Sequence, residues 1–228
     1  MGTTKGNLIT TYKAIGRSIL EYAVPIWSPI ISKSCWQRLQ TVQNQALRIA
    51  TGCLAMSPIE HLHQETKVLP LKEHGQLLTK QFLLNCHLPR HPGNKFVNQP
   101  LPRRKLKPTI MNLKEEVSHL LPISDKKNLR QKMNIIHREV VEDTIQKYPD
   151  NKVLNESPPE INQEELSLTR KSRSQLSQLR SGYSRILNSY NSRIDGNILN
   201  SCPKCHQSPH DSSHLFNCPA NPTTLTTL

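Results

Sequence analysis

Four soft metal donors crowd into one short stretch, "CPKCHQSPHDSSHLFNC", at Cys202, Cys205, His214 and Cys218. Thiolate and imidazole are the ligands of tetrahedral structural zinc, and such sites often begin with a Cys-x2-Cys knuckle. The short spacing matters because a tight turn aims both sulfurs at one point. Cys202-Pro203-Lys204-Cys205 supplies that pair. Asp211 or Ser212 can cap a short helix over "SSHLFNC", setting His214 and Cys218 one turn apart on the same face. Knuckle and helical pair together close the shell and leave no open position for a catalytic water. The spacing therefore predicts one structural zinc ion. His206 and His210 lie between the pairs, and His210 is the alternative to His214 as ligand.

The remaining donors do not group in this way. Cys35, Cys53 and Cys86 have no partner at ligand spacing and read as small apolar fillers. His61, His63 and Glu65 look like a cluster, but residues two apart on a helix point to different sides. No metal site is expected there.

Charge points to the partner. Lys and Arg number 30 against 17 Asp and Glu, a net charge of +13. That balance favours a polyanion, with nucleic acid ahead of an anionic membrane. No stretch approaches the roughly 18 consecutive apolar residues of a membrane span, and "MGTTKGNLITTYKAIG" lacks the apolar middle of a secretory signal. The chain reads as intracellular, where clustered cysteines favour metal over disulfides. At 35% hydrophobic and 4% aromatic residues, a core forms only where apolar residues concentrate.

The elements that must carry these residues are helices, so the fold class is mainly α. "NLITTYKAIGRSILEYAVPIW" sets Leu8, Tyr12, Ile15 and Ile19 on one face. "KSCWQRLQTVQNQALRIATG" does the same with Trp36, Leu39, Val42, Ala46 and Ile49, and Gly52 is its stop. Ser57-Pro58-Ile59-Glu60 reads as a capping box opening a third helix. "LKEHGQLLTKQFLLNCH" gives a fourth, with Leu71, Leu77, Leu78 and Phe82 inward and Pro89 ending it. Residues 1–88 form a helical module on this reading. Residues 89–165 are linker around one helix at about 125–148, because five prolines and six Lys or Arg between Pro89 and Pro108 deny both helix and collapse. Residues 166–228 join a basic helix, on Leu176, Leu179, Tyr183, Leu187, Tyr190 and Ile194, to the cysteine cluster.

Two separated blocks carry a family likeness. "LEYAVPIWSP" with "ISKSCWQRLQTVQNQALRIATG" and "SPIEHLHQETKVLPL", and later "LRSGYSRILNSYNSRID" with "CPKCHQSPHDSSHLFNCP", resemble the C-terminal region of Jockey-group non-LTR retrotransposon reverse transcriptase polyproteins. The resemblance implies a thumb-like N-terminal module beside a template–primer duplex. It also implies a zinc-knuckle-like module that holds element RNA or target DNA. The metal spacing differs from that of the retroviral nucleocapsid knuckle, so single-strand specificity of that kind does not carry over. Reverse transcriptases use two metal ions held by clustered Asp. Residues 1–124 contain no Asp and no two Asp adjoin anywhere, so the expectation is binding without catalysis and no catalytic residue is assigned.

The residues expected to meet RNA or DNA are Arg170, Lys171, Arg173, Arg180, Arg185 and Arg193 before the metal stretch, and Lys204 within it. Arg103, Arg104, Lys105 and Lys107 form a second basic patch, either a nuclear import signal or a solubilising run. Tyr183 and Tyr190 can stack on bases or pack in a core; their place on the apolar stripe favours packing. A zinc-stapled scaffold that docks acidic proteins, or a host regulator made from such an element, is the competing class.

Overall fold

The computed structural model describes residues 3–98, 108–145, 147–148 and 163–220. Helix α1 (Lys5–Thr11) runs into a π-helical stretch (Tyr12–Arg17), and then come the short helices α2 (Ser18–Leu20) and α3 (Val24–Trp27). The chain continues through α4 (Lys33–Thr51), α5 (Ile59–Thr66), α6 (Leu71–Cys86), α7 (Asn94–Asn98), α8 (Pro108–Glu116), a 3-10 turn (Ser118–Leu120) and α9 (Lys126–Ile145). Helices α10 (Gln163–Ser167), α11 (Arg170–Arg180), α12 (Asn188–Ile194) and α13 (Ser212–Asn217) complete the order. The fold is mainly α, and no β-strand occurs among the described residues.

Two compact units form, and they interleave along the chain instead of matching the consecutive segments 1–88, 89–165 and 166–228. The first gathers Met1–Thr11, Asn44–Val68 and Tyr148–Leu228; the second holds Tyr12–Gln43 and Leu69–Lys147. Helix α4 contributes its first part to the second unit and its last part to the first.

The second unit is built around α6, which packs on α3, α8 and α9. Leu77, Leu83, Leu84, Leu113, Val117, Ile123, Leu129 and Ile136 form its core. The helix expected near 125–148 is α9, with Leu129 and Ile136 buried as its periodicity requires. Residues 89–98 are not the extended linker their prolines suggest. His91 and Asn94 N–H groups close turns onto Leu88 and His91 carbonyls, and Lys114 Nζ donates to Val97 O.

Apolar periodicity misassigns part of three inward faces, although Tyr12, Leu71 and Leu77 are buried as expected. A π turn holds more residues than an α turn, and each extra residue rotates the rest of the helix by about 100°. Accordingly Tyr12 and Arg17 are buried, whereas Ile15 and Ile19 are 62% and 72% exposed. On α4 the buried positions are Gln43, Asn44, Leu47, Ala50 and Thr51, with Val42 and Ile49 outside. Gln43 lies inward because its amide is satisfied: Tyr12 Oη donates to Gln43 Oε1 at 2.9 Å and Gln43 Nε2 donates to Leu69 O at 2.8 Å. On α6, Leu83 and Leu84 replace the expected Phe82, which is exposed.

The first unit relies on polar packing. Every residue of α5 from His61 to Thr66 is buried. Helix α5 starts where Pro58 places it, but the capping box does not form. Ser57 Oγ instead lies 3.2 Å from Ser181 Oγ. Gly52 ends α4 with φ +76°, and α11 crosses its last turn. Gln178 Nε2 donates to Gly52 O and Arg170 Nη2 to Ile49 O, meeting carbonyls the helix end leaves free. A Cβ on Gly52 would sit 2.2 Å from Ser174 Oγ. Gly52→Ala is thus expected to cost about 2 kcal/mol or more, left-handed strain and overlap together. Adding Ser174→Gly should recover only the overlap in urea denaturation.

Candidate metal centre

The helix expected through residues 166–194 is divided among the end of α10, α11 and α12, and the break after α11 positions the metal stretch. Gly182 adopts φ +73°. Its N–H bonds to Leu179 O while Tyr183 N–H reaches Gln178 O, the paired bonds of a Schellman stop. The chain then turns into α12, whose first N–H groups are held by the metal stretch itself. Asn188 N–H donates to His210 Nδ1 at 3.1 Å and Ser189 N–H donates to His210 O at 3.1 Å. Asn188 Nδ2 donates to Ser201 O, and Ser212 Oγ donates to Leu179 O.

Cys202, Cys205, His214 and Cys218 converge, with one ligand atom from each lying within 4.8 Å of the others. This set can hold one metal ion. The knuckle is closed by His206 N–H donating to Cys202 O and Cys202 N–H donating to Gln207 O. Backbone N–H groups of Cys205 and then Lys204 stabilise the Cys202 thiolate and bring its pKa down to about 6. Burial acts the other way on Cys205 and raises its thiol. Asp211 accepts the His214 N–H at 2.8 Å and caps α13, as expected, which sets His214 and Cys218 toward the knuckle. Cys205 Sγ lies 3.2 Å from His214 Nε2.

His210 is outside this group. It is buried and its Nδ1 accepts from Asn188, so it pins α12. The apolar pattern gives no hint of that role; the signal is a buried polar ring between two donor pairs. His61, His63 and Glu65 are each engaged separately. His61 Nε2 donates to Ser177 O, His63 Nδ1 to Val68 O, and Glu65 accepts from Lys5 and Arg180. Of the three lone cysteines, Cys53 and Cys86 are buried fillers, whereas Cys35 is exposed because it faces outward from the first turn of α4.

The basic residues divide by environment. Lys171, Arg185, Arg193 and Lys204 are exposed. Arg170 is exposed and Arg173 half-buried, and both also reach backbone carbonyls. Arg193 lies over the Tyr183 ring at 5.2 Å and donates to its hydroxyl. Tyr190 is buried edge-on to Tyr183 and packs. Arg180 is turned inward, its guanidinium taken by Glu65 and Glu165. Arg103, Arg104, Lys105 and Lys107 lie outside the described residues. No helix among the described residues is long and apolar enough to cross a membrane. The chain matches no protein-family model, no curated protein and no solved structure.

Proposed function

We propose that the chain binds RNA or DNA without catalysis, through a basic surface organised by one structural zinc ion. In this reading it corresponds to the C-terminal region of a Jockey-group retrotransposon reverse transcriptase polyprotein. It works in the nucleus, for which Arg103, Arg104, Lys105 and Lys107 are the sequence support. The observation that carries the proposal is the donor geometry. A tetrahedron with metal–sulfur bonds of about 2.3 Å has edges of about 3.8 Å, and Cys202 Sγ and Cys218 Sγ stand 3.8 Å apart. The same loop fixes the start of α12 and touches the end of α11, the two helices that bear the arginines.

Lys and Arg bind phosphates by releasing counterions, so affinity falls linearly with salt on a logarithmic plot. Arg170, Lys171, Arg173, Arg185, Arg193 and Lys204 together predict a slope of about −5 on duplex DNA. Fluorescence anisotropy between low and physiological salt measures it. Absent or salt-independent binding would overturn the proposal.

A second reading, the protein-docking scaffold, is favoured by one observation. Ile15, Ile19, Tyr22, Ile26 and Ile30 of the second unit are each at least 60% exposed, and large apolar exposure marks interaction surfaces. Binding polyglutamate as tightly as RNA would support the scaffold over the nucleic-acid reading.

A further inference from the structure

The second unit carries a cleft of about 590 Å3 that the metal centre does not involve, lined by Asn85, Leu88, Pro89, Arg90, His91 and Pro92 from the end of α6 and the turns after it. Ser124, Asp125 and Lys126, at the start of α9, complete the lining. Its volume falls within the range of small-ligand sites. Leu88, Pro89 and Pro92 offer surface without side-chain hydrogen-bonding groups, suited to the face of a flat ring. His91 is held in place, edge-on to Phe82 at 6.5 Å, with its Nδ1 accepting the Gly93 N–H at 3.0 Å.

Two cations line the cleft. Arg90 and Lys126 are exposed and neither forms an ion pair with a described acidic residue. Asp125 does not cancel them as a partner. Its Oδ1 accepts the Asn128 N–H at 2.8 Å, which caps α9, and its Oδ2 accepts from Ser124 Oγ. That capping bond, the largest influence, holds the Asp125 carboxyl below its usual range. The ionised Asp125 repels an incoming anion, so the phosphate must be met by Arg90 and Lys126, which outnumber it in the lining. Asp125 and Asn85 remain as acceptors for an amino group.

Apolar lining residues, a fixed aromatic ring, two exposed cations and amide and carboxylate acceptors together describe one ligand class: a nucleobase joined to a phosphate. We propose that this cleft seats a single unpaired nucleotide of a nucleic-acid strand. The base lies on Leu88, Pro89, Pro92 and the His91 ring, and its phosphate meets Arg90 and Lys126. This inference rests on the nucleic-acid reading for its biological ligand, but its chemistry is testable alone.

Calorimetric titration of the full zinc-loaded chain with AMP, adenosine, inorganic phosphate and short oligoadenylate distinguishes the outcomes. AMP and oligoadenylate should bind. Adenosine and phosphate should each bind at least about tenfold more weakly, since each forfeits one half of the site. Arg90→Ala and Lys126→Ala should each weaken AMP by about tenfold, with circular dichroism unchanged because both side chains are exposed. Arg138→Ala, elsewhere on α9, should leave AMP binding as it is. Phosphate binding as tightly as AMP would overturn the proposal, as would AMP binding insensitive to Arg90 and Lys126. No AMP binding alongside intact RNA binding also overturns it and leaves the metal-organised surface standing. AMP binding without oligoadenylate or RNA binding would leave a mononucleotide cleft but overturn the strand as its ligand, and with it the nucleic-acid reading.

Discussion

Cys205→Ser and His214→Ala are each expected to abolish stoichiometric metal uptake and to weaken nucleic-acid binding, although neither removes an arginine. The segment "CPKCHQSPHDSSHLFNC" has only Leu215 and Phe216 as large apolar residues, and both are merely half-buried. Such a stretch cannot offset its own chain entropy by burial. Zinc bound by a Cys/His shell supplies on the order of 10 kcal/mol and couples metal binding to folding. Here the loop also holds other elements: His210 secures the first N–H groups of α12, and Ser212 bonds to Leu179 at the end of α11. Losing the metal therefore loosens the turn that presents Arg185 and Arg193. Elemental analysis, thermal melting with and without chelator, and anisotropy on RNA measure the three consequences. His210→Ala separates ligand from support: it should keep the metal and lower the melting temperature. If His210→Ala loses the metal while His214→Ala keeps it, the ligand assignment is reversed. Cys35→Ser, exposed and remote in sequence, should change none of these readouts. Metal uptake unchanged in Cys205→Ser would remove the site.

The parts of this structure that sequence discloses are those written locally. Gly52 stops α4, Pro58 precedes α5, and the apolar residues of α6 and α9 repeat at helical spacing. The donor set is legible for the same reason, since a knuckle and a capped helical turn are each fixed within a few residues. What stays hidden depends on distant partners. Nothing near Gln43 announces that Tyr12 and the Leu69 carbonyl will satisfy it, so an apolar count turns α4 the wrong way. The π turn at Tyr12–Arg17 leaves no mark in composition, yet it moves Ile15 and Ile19 to the surface. Most of all, the segment between α4 and α5 meets α11 and its C-cap through the pairs Cys53–Ser177 and Ser57–Ser181, small residues that no hydrophobic pattern selects. The joining of residues 44–68 with the C-terminal helices is written in those pairings.

Arg180→Ala is expected to cost the chain about 3–5 kcal/mol, the range for removing one partner of a buried ion pair. That is a large part of the roughly 5–15 kcal/mol that holds an ordinary domain together. The reason lies in where Arg180 points. Its Nη1 donates to Glu65 Oε1 at 3.2 Å and its Nη2 to Glu165 Oε2 at 3.0 Å. Lys5 Nζ completes the group, 2.8 Å from Glu65 and 3.8 Å from Glu165. Glu65 and Glu165 side chains are only 1% and 9% exposed, so water offers them little help. Burial opposes the charge on Arg180, but the bonds and charges of Glu165 and Glu65 outweigh it and raise its pKa. Without Arg180, both buried carboxylates lose a charged partner that Lys5, 2.8 Å from Glu65 and 3.8 Å from Glu165, does not replace. Arg180→Lys should recover only part of the loss, because an ammonium cannot span both acids as the planar fork does. Arg185 gives the contrast, being exposed and without an acidic partner among the described residues. Arg185→Ala should leave the urea midpoint alone and lower the salt slope of DNA binding by about 1. Arg180→Ala should do the reverse, lowering the midpoint while the folded fraction keeps its salt slope. An unshifted midpoint with a reduced slope would place Arg180 on the nucleic acid after all, and the four-membered ion network would carry little of the fold.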